Sequence, residues 1–309
     1  MCFFSRGNAL RHQLPRSEES LAYEFMSPVK ALALIMIVST MVGAGLQLDR
    51  RRLVETLRQY GLMGRAFLAN FVLVPVFAIL LVQFFHVQSG VAVGIVLMAM
   101  APGVPFLVNT AGRTVGGSLG FAITISFCFT ALSVATIPIT IALIALIAPS
   151  APVPPVPAAK FLTTLVLFQL IPLILGALIG PRLAPSATEK LVKVLHVLFL
   201  AAALTFVVLV FKTIVGSLSS DFGHGNLFII ATIGLFSILL GWLFGGPDIH
   251  YRRTLAIATL MRNIGLCVLI GTEPVFEGSL VLPTIFAYLA ITFILSLPIR
   301  GYFTRTKSA

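Results

Sequence analysis

Charged side chains are scarce in this chain. Only 10% of the 309 residues are Asp, Glu, Lys or Arg, against 58% hydrophobic residues, and the mean hydropathy is +1.05. A soluble domain carries about a quarter charged residues, and a soluble protein of this composition would expose large apolar patches. The apolar runs are continuous and do not alternate, which excludes a β-barrel and predicts an all-α polytopic membrane protein.

Groups that carry out chemistry are also sparse. The three cysteines have no metal or disulfide spacing, and the sequence has no paired acids, His/Glu metal motif or Gly-x-Ser-x-Gly elbow. The net charge of +11 comes mostly from short loops between apolar runs, which is a topology signal and not a nucleic-acid patch. We therefore expect that the protein is not an enzyme and has neither a nucleic-acid partner nor a cofactor.

Nine apolar stretches are long enough, at about twenty residues, to cross the hydrocarbon layer of a bilayer. If the spans alternate, nearly all the basic loops fall on one side, which places the N-terminus outside and the C-terminus in the cytoplasm of a plasma-membrane protein. Residues 1–28 are predicted to be a disordered external tail, unless Met26 is the true start. Residues 29–300 form one transmembrane unit, and residues 301–309 form a cytoplasmic tail. The nine spans are 29–46, 66–85, 90–109, 119–148, 161–180, 195–214, 227–244, 254–271 and 280–299.

Two of the spans are interrupted. Pro102-Gly103-Val104-Pro105 breaks the third span, because proline lacks a backbone donor and clashes with the preceding turn. The eighth span contains Arg262 and Asn263, and an ionisable group at that depth indicates a functional site. By order, spans one to four would be inverted copies of spans six to nine. This arrangement is typical of secondary transporters with broken helices.

The chain resembles the bile acid:sodium symporter family. Four segments here are similar to segments of the family. Three of the family's segments are the motifs Gly-Leu-x-Leu, Gln-Phe-x-x-Met-Pro and Cys-Pro-Gly-Gly, and the fourth is its second broken helix, which starts with Thr-Leu and ends with Asn-x-x-Leu. The similar segments of this chain are, in the same order, residues 45–48 (Gly-Leu-Gln-Leu), 70–75 (Asn-Phe-Val-Leu-Val-Pro), 101–103 (Ala-Pro-Gly) and 254–266.

This resemblance implies a fold of ten helices in two inverted repeats, here without the first helix, in which two broken helices cross. It implies a core of residues 66–148 and 227–299 and a panel of residues 29–46 and 161–214. It also implies a secondary active transporter of a small or amphipathic organic anion in the lipid bilayer, working by alternating access.

The chain departs from the family at the positions of its sodium ligands. The family's Glu corresponds to Ala258, its neighbouring Gln to Arg262, and the Gln of its third helix to Asn70. Sodium is held by oxygens, and a carboxylate offsets the cost of its burial. We therefore expect that coupling to sodium by the family's chemistry is lost, and that Arg262 itself pairs with a carboxylate or sulfonate of the substrate.

The predicted substrate or ion site has structural alternatives at each residue. Arg262 could instead cap carbonyls freed by the broken helix, the two amides could link helices, and the hydroxyls could bond their own helix backbone. Gln169 is expected to satisfy backbone opened by Pro172. A non-transporting membrane sensor or assembly subunit on a degenerate carrier scaffold is the alternative function. The predicted site comprises Asn70, Asn109, Thr124, Ser126, Ala258, Thr259, Arg262 and Asn263.

Overall fold

The computed structural model describes residues 16–103, 116–147, 158–220, 224–276 and 279–305, and within them all regular structure is helical. The helices in chain order are α1 (Arg16–Leu46), α2 (Arg50–Leu57), α3 (Tyr60–Phe84), α4 (Ser89–Met100), α5 (Leu119–Ile147), α6 (158–182), α7 (Pro185–Ser220), α8 (His224–Phe244), α9 (Ile249–Leu260), α10 (Ile264–Gly271) and α11 (Val281–Arg305). α1 begins at Arg16 and so takes in part of the segment that was predicted to be a tail.

Seven helices in the described residues are long and apolar enough to cross a membrane: α1, α3, α5, α6, α7, α8 and α11. They coincide with seven of the nine predicted spans. The third and eighth predicted spans contain the shorter α4 and the pair α9–α10. The chain is therefore a helical integral membrane protein, whereas the count of nine spans and the inverted repeat stay predictions.

The two short segments end for different reasons. α4 ends at Met100, and Ala101 leaves the helical region with φ −105° and ψ 69°, because Pro102 disfavours helical geometry in the residue before it. α9 ends without a proline: Met261 is extended, with φ −81° and ψ 137°. Asn263 then starts α10 as its N-cap, accepting a hydrogen bond at its side-chain oxygen from the N–H of Leu266.

Two long helices contain a wider, π-helical turn ahead of a proline. In α3 this turn is Leu68–Leu73, followed by Pro75, and in α6 it is Val166–Leu170, followed by Pro172. A proline removes one backbone donor from the helix, so the ladder shifts there. Single π turns occur frequently at functional sites, and each of these two carries one fully buried amide side chain.

The helices pack around a buried apolar centre. α1 packs most extensively against α6 and α7, and α8 packs against α9. Backbones touch at both contacts: a Cβ on Gly176 would overlap the carbonyl of Val42, and a Cβ on Gly241 would lie 2.5 Å from Cα of Ala256. α4 and α10 are almost wholly buried, so the residues that follow α4 and precede α10 meet inside the protein.

Candidate functional site

The interruptions of the third and eighth predicted spans lie against each other. Pro102 and Arg262 form an isolated antiparallel bridge, and the N–H of Asn263 donates to the carbonyl of Ala101 over 2.9 Å. Backbone groups freed from a helix cannot bond to lipid, so they must find partners within the protein. Here the carbonyl of Ala101 accepts from the N–H that follows Arg262, so Arg262 lies next to Pro102.

Arg262 is the most unusual side chain of the site. It is only 2% exposed, and neither Nε nor either terminal nitrogen makes a well-formed hydrogen bond within the described residues. The phenol of Tyr288 interacts with the guanidinium electrostatically and through a weak side-chain hydrogen bond, and the thiol of Cys267 interacts with it electrostatically. None of these contacts has the geometry of a well-formed hydrogen bond. The guanidinium therefore does not cap described carbonyls, and it does not face lipid.

Asn263 links the broken segment to two other helices. Its Nδ2 donates to Oε1 of Gln169 over 3.2 Å. Gln169 in turn donates from Nε2 to the carbonyl of Thr130 over 2.7 Å and to the hydroxyl of Ser133 over 2.6 Å. The expectation that Gln169 serves its own helix was wrong, because its donors reach α5. This side chain joins α6 to α5 and to the start of α10.

Asn70 and Thr259 form a second buried link. Asn70 donates from Nδ2 to the carbonyl of Ala66 over 3.0 Å and to the hydroxyl of Thr259 over 3.2 Å. Both residues are fully buried. The Oδ1 of Asn70 has no partner within the described residues, so one acceptor remains available beside the end of α9.

The remaining predicted positions differ in their surroundings. Ala258 is 3% exposed and belongs to an apolar cluster with residues that include Phe71 and Phe129. Thr124 and Ser126 are buried on α5, and the hydroxyl of Ser126 has no hydrogen-bond partner among the described residues, its own helix included. Asn109 lies outside the described residues.

Besides Gln169, three polar residues of this region were not predicted as site residues. Thr130 lies four residues after Ser126, and Ser133 lies three residues after Thr130. This spacing places the three hydroxyls on one face of a helix, so the sequence could have indicated these two residues. Gly103, with φ +100°, lies against Thr130: a Cβ there would be 2.9 Å from the Thr130 hydroxyl. Tyr288 carries no sequence signal, because only the packing of α11 brings it to Arg262.

No group of three His, Cys, Asp or Glu side chains within the described ranges could hold a metal ion. The polar groups of the region are instead amides, hydroxyls and one guanidinium.

Comparison with known proteins adds one match. No curated protein matches the chain. The family described as Sodium Bile acid symporter family matches residues 33–220, from α1 through α7 and more than half of the chain. The matched region includes Asn70, Ser126 and Gln169 but not the α9–α10 junction. Together with the apolar helices, this match shows that the chain is a membrane protein belonging to the sodium bile acid symporter family.

Proposed function

We propose that this protein is a secondary transporter of a small or amphipathic organic anion, and that Arg262 supplies a fixed positive charge for the substrate. The observation that carries the proposal is the guanidinium at 2% exposure whose three nitrogens make no well-formed hydrogen bond among the described residues. An unpaired buried charge costs several kcal/mol. A carboxylate or sulfonate would satisfy its fork of donors in a bidentate pair.

The neighbours of Arg262 support an anion more than a cation. The Tyr288 hydroxyl is a further donor next to the guanidinium. The position of the family's acidic sodium ligand is Ala258, which packs among aromatic rings. Two like charges about 4 Å apart repel by roughly 4 kcal/mol at an effective dielectric of 20. Sodium near Arg262 would therefore be disfavoured, although Asn70 and Ser126 each keep an unbonded oxygen.

The proposed mechanism is alternating access between two groups of helices. The panel comprises α1, α6 and α7, and the core comprises α3 to α5 and α8 to α11, with the two broken helices inside it. Rigid motion of one group against the other around a fixed midplane site is the usual mechanism of inverted-repeat carriers. We further propose nine spans with the N-terminus outside, which the distribution of Lys and Arg supports.

The first experiment is a thermal-shift screen of small carboxylates and sulfonates on the purified protein, in sodium chloride and in N-methylglucamine chloride. We expect the best ligand to raise Tm equally in both salts, because Arg262 and not sodium neutralises it. The same ligand, radiolabelled, should enter proteoliposomes at the same rate in either cation. A strict requirement for sodium in both assays would overturn the proposed role of Arg262.

Two variants separate the role of the charge from the role of the scaffold. Arg262→Lys keeps the charge but loses the bidentate geometry, so uptake should fall about tenfold or more while some remains. Arg262→Gln removes the charge and should abolish ligand binding. Equal binding by wild type and Arg262→Gln would exclude the anion site, and binding without uptake in wild type would assign a sensor and not a carrier.

A further inference from the structure

An open cavity that is lined in part by arginines lies at one end of the helices and includes neither Arg262 nor its neighbours. It has a volume of about 480 Å³ and lies between the start of α3 and the turn that joins α8 to α9. Arg58 and Arg65 contribute to one wall, and Gly246, Asp248 and Tyr251 contribute to the other. Its volume falls in the range of about 300 to 1,000 Å³ that is typical of small-molecule sites.

The charge of this cavity is positive. Neither Arg58 nor Arg65 takes part in any of the ion pairs that the structure shows in its described residues. The carboxylate of Asp248 accepts the N–H of His250 at Oδ1 over 2.7 Å as the N-cap of α9. Two guanidinium groups and one carboxylate thus line the cavity, and an anionic ligand would balance the remaining positive charge.

The turn between α8 and α9 brings more positive charge behind the cavity. Arg65 packs its Nη2 3.1 Å from where a Cβ on Gly246 would lie. The carbonyl of Gly246 accepts a hydrogen bond from Nε of Arg252 over 2.5 Å. A third guanidinium therefore lies next to the wall, and it is held in place by the backbone and by the ring of Trp242, 5.9 Å away.

The location of the cavity matches the surface of a bilayer. It opens where α3 enters the apolar region, next to Tyr60, whose side chain is 79% exposed. Tyrosine and arginine are enriched at this depth, where headgroups lie. The nearby helix α2 begins with three consecutive arginines and exposes Val54 and Leu57. Basic pockets between helices on the cytoplasmic side are typical sites for anionic headgroups.

We propose that this cavity binds a phosphate ester, as carried by the headgroup of an anionic phospholipid, through Arg58 and Arg65. Both guanidinium groups would bond to phosphate oxygens, and Gln59, which donates to the hydroxyl of Tyr251 over 3.3 Å, closes one side of the cavity. The site does not depend on the transported substrate, since it shares no residue with the region around Arg262.

The test uses the full chain in detergent with short-chain phosphatidylglycerol, short-chain phosphatidylcholine or glycerol phosphate. Phosphatidylglycerol should raise Tm by at least about 2 °C and phosphatidylcholine should not. The double variant Arg58→Gln/Arg65→Gln should lose this rise. Lys190→Gln/Lys193→Gln is the matched control, because it removes two exposed charges on α7 outside the cavity, and it should keep the rise.

The soluble ligand identifies the source of the phosphate: a rise with phosphatidylglycerol alone supports the lipid, and an equal rise with glycerol phosphate supports a soluble ester at the same site. Phenylglyoxal labelling of wild type provides a test that needs no variant. Phosphatidylglycerol should slow the modification of Arg58 and Arg65 more than that of Arg305, because a guanidinium that is bonded to a phosphate is shielded from the reagent. Equal protection of all three arginines, or equal loss of the Tm rise in both double variants, would overturn the proposal.

Discussion

The amide of Asn263 donates a hydrogen bond to the amide of Gln169, with 3.2 Å between Nδ2 and Oε1. This bond crosses from the start of α10 to the π-helical turn of α6, and both side chains are buried. In the proposed mechanism α6 belongs to the panel and α10 to the core. The bond therefore joins two groups that must move apart during transport.

Replacing Gln169 tests this connection. In Gln169→Leu the amide of Asn263 loses its acceptor, and the Ser133 hydroxyl loses a donor. Leaving buried polar groups unsatisfied costs about 1–3 kcal/mol, so we expect a lower Tm in detergent. Thr163→Val is the control on the same helix: within the described part of the chain its exposed hydroxyl bonds only to the carbonyl of Ala159, and its loss should change stability by less than about 0.5 kcal/mol.

Removing both amides should cost less than the sum of the single losses. Asn263→Ala also removes the N-cap bond to Leu266, which costs about 1 kcal/mol. If the two amides interact as the structure shows, the double variant with Gln169→Leu will be non-additive by about 0.5–3 kcal/mol. Strict additivity would mean that the bond contributes nothing to the stability of the protein.

Hydropathy was sufficient to predict the long helices, because length and apolar composition are local properties of the sequence. The burial of Arg262 also followed from its place in an apolar run. The partners of Gln169 did not, since they depend on how α6 packs against α5. Pro172 suggested a local role for the amide, but Gln169 lies in the π turn of α6 and its Nε2 donates to Thr130 and Ser133 of α5.

The ion pair between Lys30 and Glu273 could not be predicted from the sequence either. Their Nζ and Oε1 atoms lie 3.3 Å apart although the residues are 243 positions apart. Lys30 is the second residue of the first predicted span, and Glu273 lies just after the eighth. Nothing in the local pattern pairs these two ends, because the packing of α1 against α10 alone brings them together.

This ion pair should stabilise the protein measurably. The carboxylate of Glu273 is 9% exposed and the Lys30 amine 45%, so the pair is screened only in part. A double-mutant cycle with Lys30→Gln and Glu273→Gln should give a coupling energy of about 0.5–1 kcal/mol at low salt, decreasing as salt rises.

An exposed pair on α2 provides the comparison for this cycle. Arg51 and Glu55 lie 3.1 Å apart but are 88% and 60% exposed. The same cycle with Arg51→Gln and Glu55→Gln should give a coupling close to zero, since exposed pairs contribute little. A coupling at Lys30–Glu273 no larger than at Arg51–Glu55 would show that burial of the carboxylate does not strengthen this contact.

Gly103 should not tolerate a side chain. Its φ of +100° is unfavourable for L residues, and a Cβ would lie 2.9 Å from the Thr130 hydroxyl. We expect Gly103→Ala to destabilise the protein by about 1–3 kcal/mol. Gly64→Ala is the control, because a Cβ there meets nothing within 4 Å in a helix. That change should be neutral or stabilise by up to about 1 kcal/mol. Equal effects of the two substitutions would contradict the backbone geometry at Gly103.

Arg262 should contribute to function at the expense of stability. Replacing a charge that is buried without an ion-pair partner by an apolar side chain removes a desolvation penalty of several kcal/mol. We therefore expect Arg262→Met to raise the Tm of the ligand-free protein and to abolish binding and uptake of the anion. Arg253→Met is the matched control: its guanidinium is also buried but packs 5.5 Å from the ring of Phe303, so its loss should lower Tm. If Arg262→Met lowered Tm as much as Arg253→Met, the charge at position 262 would be a structural element of the fold, and the anion would have to bind elsewhere.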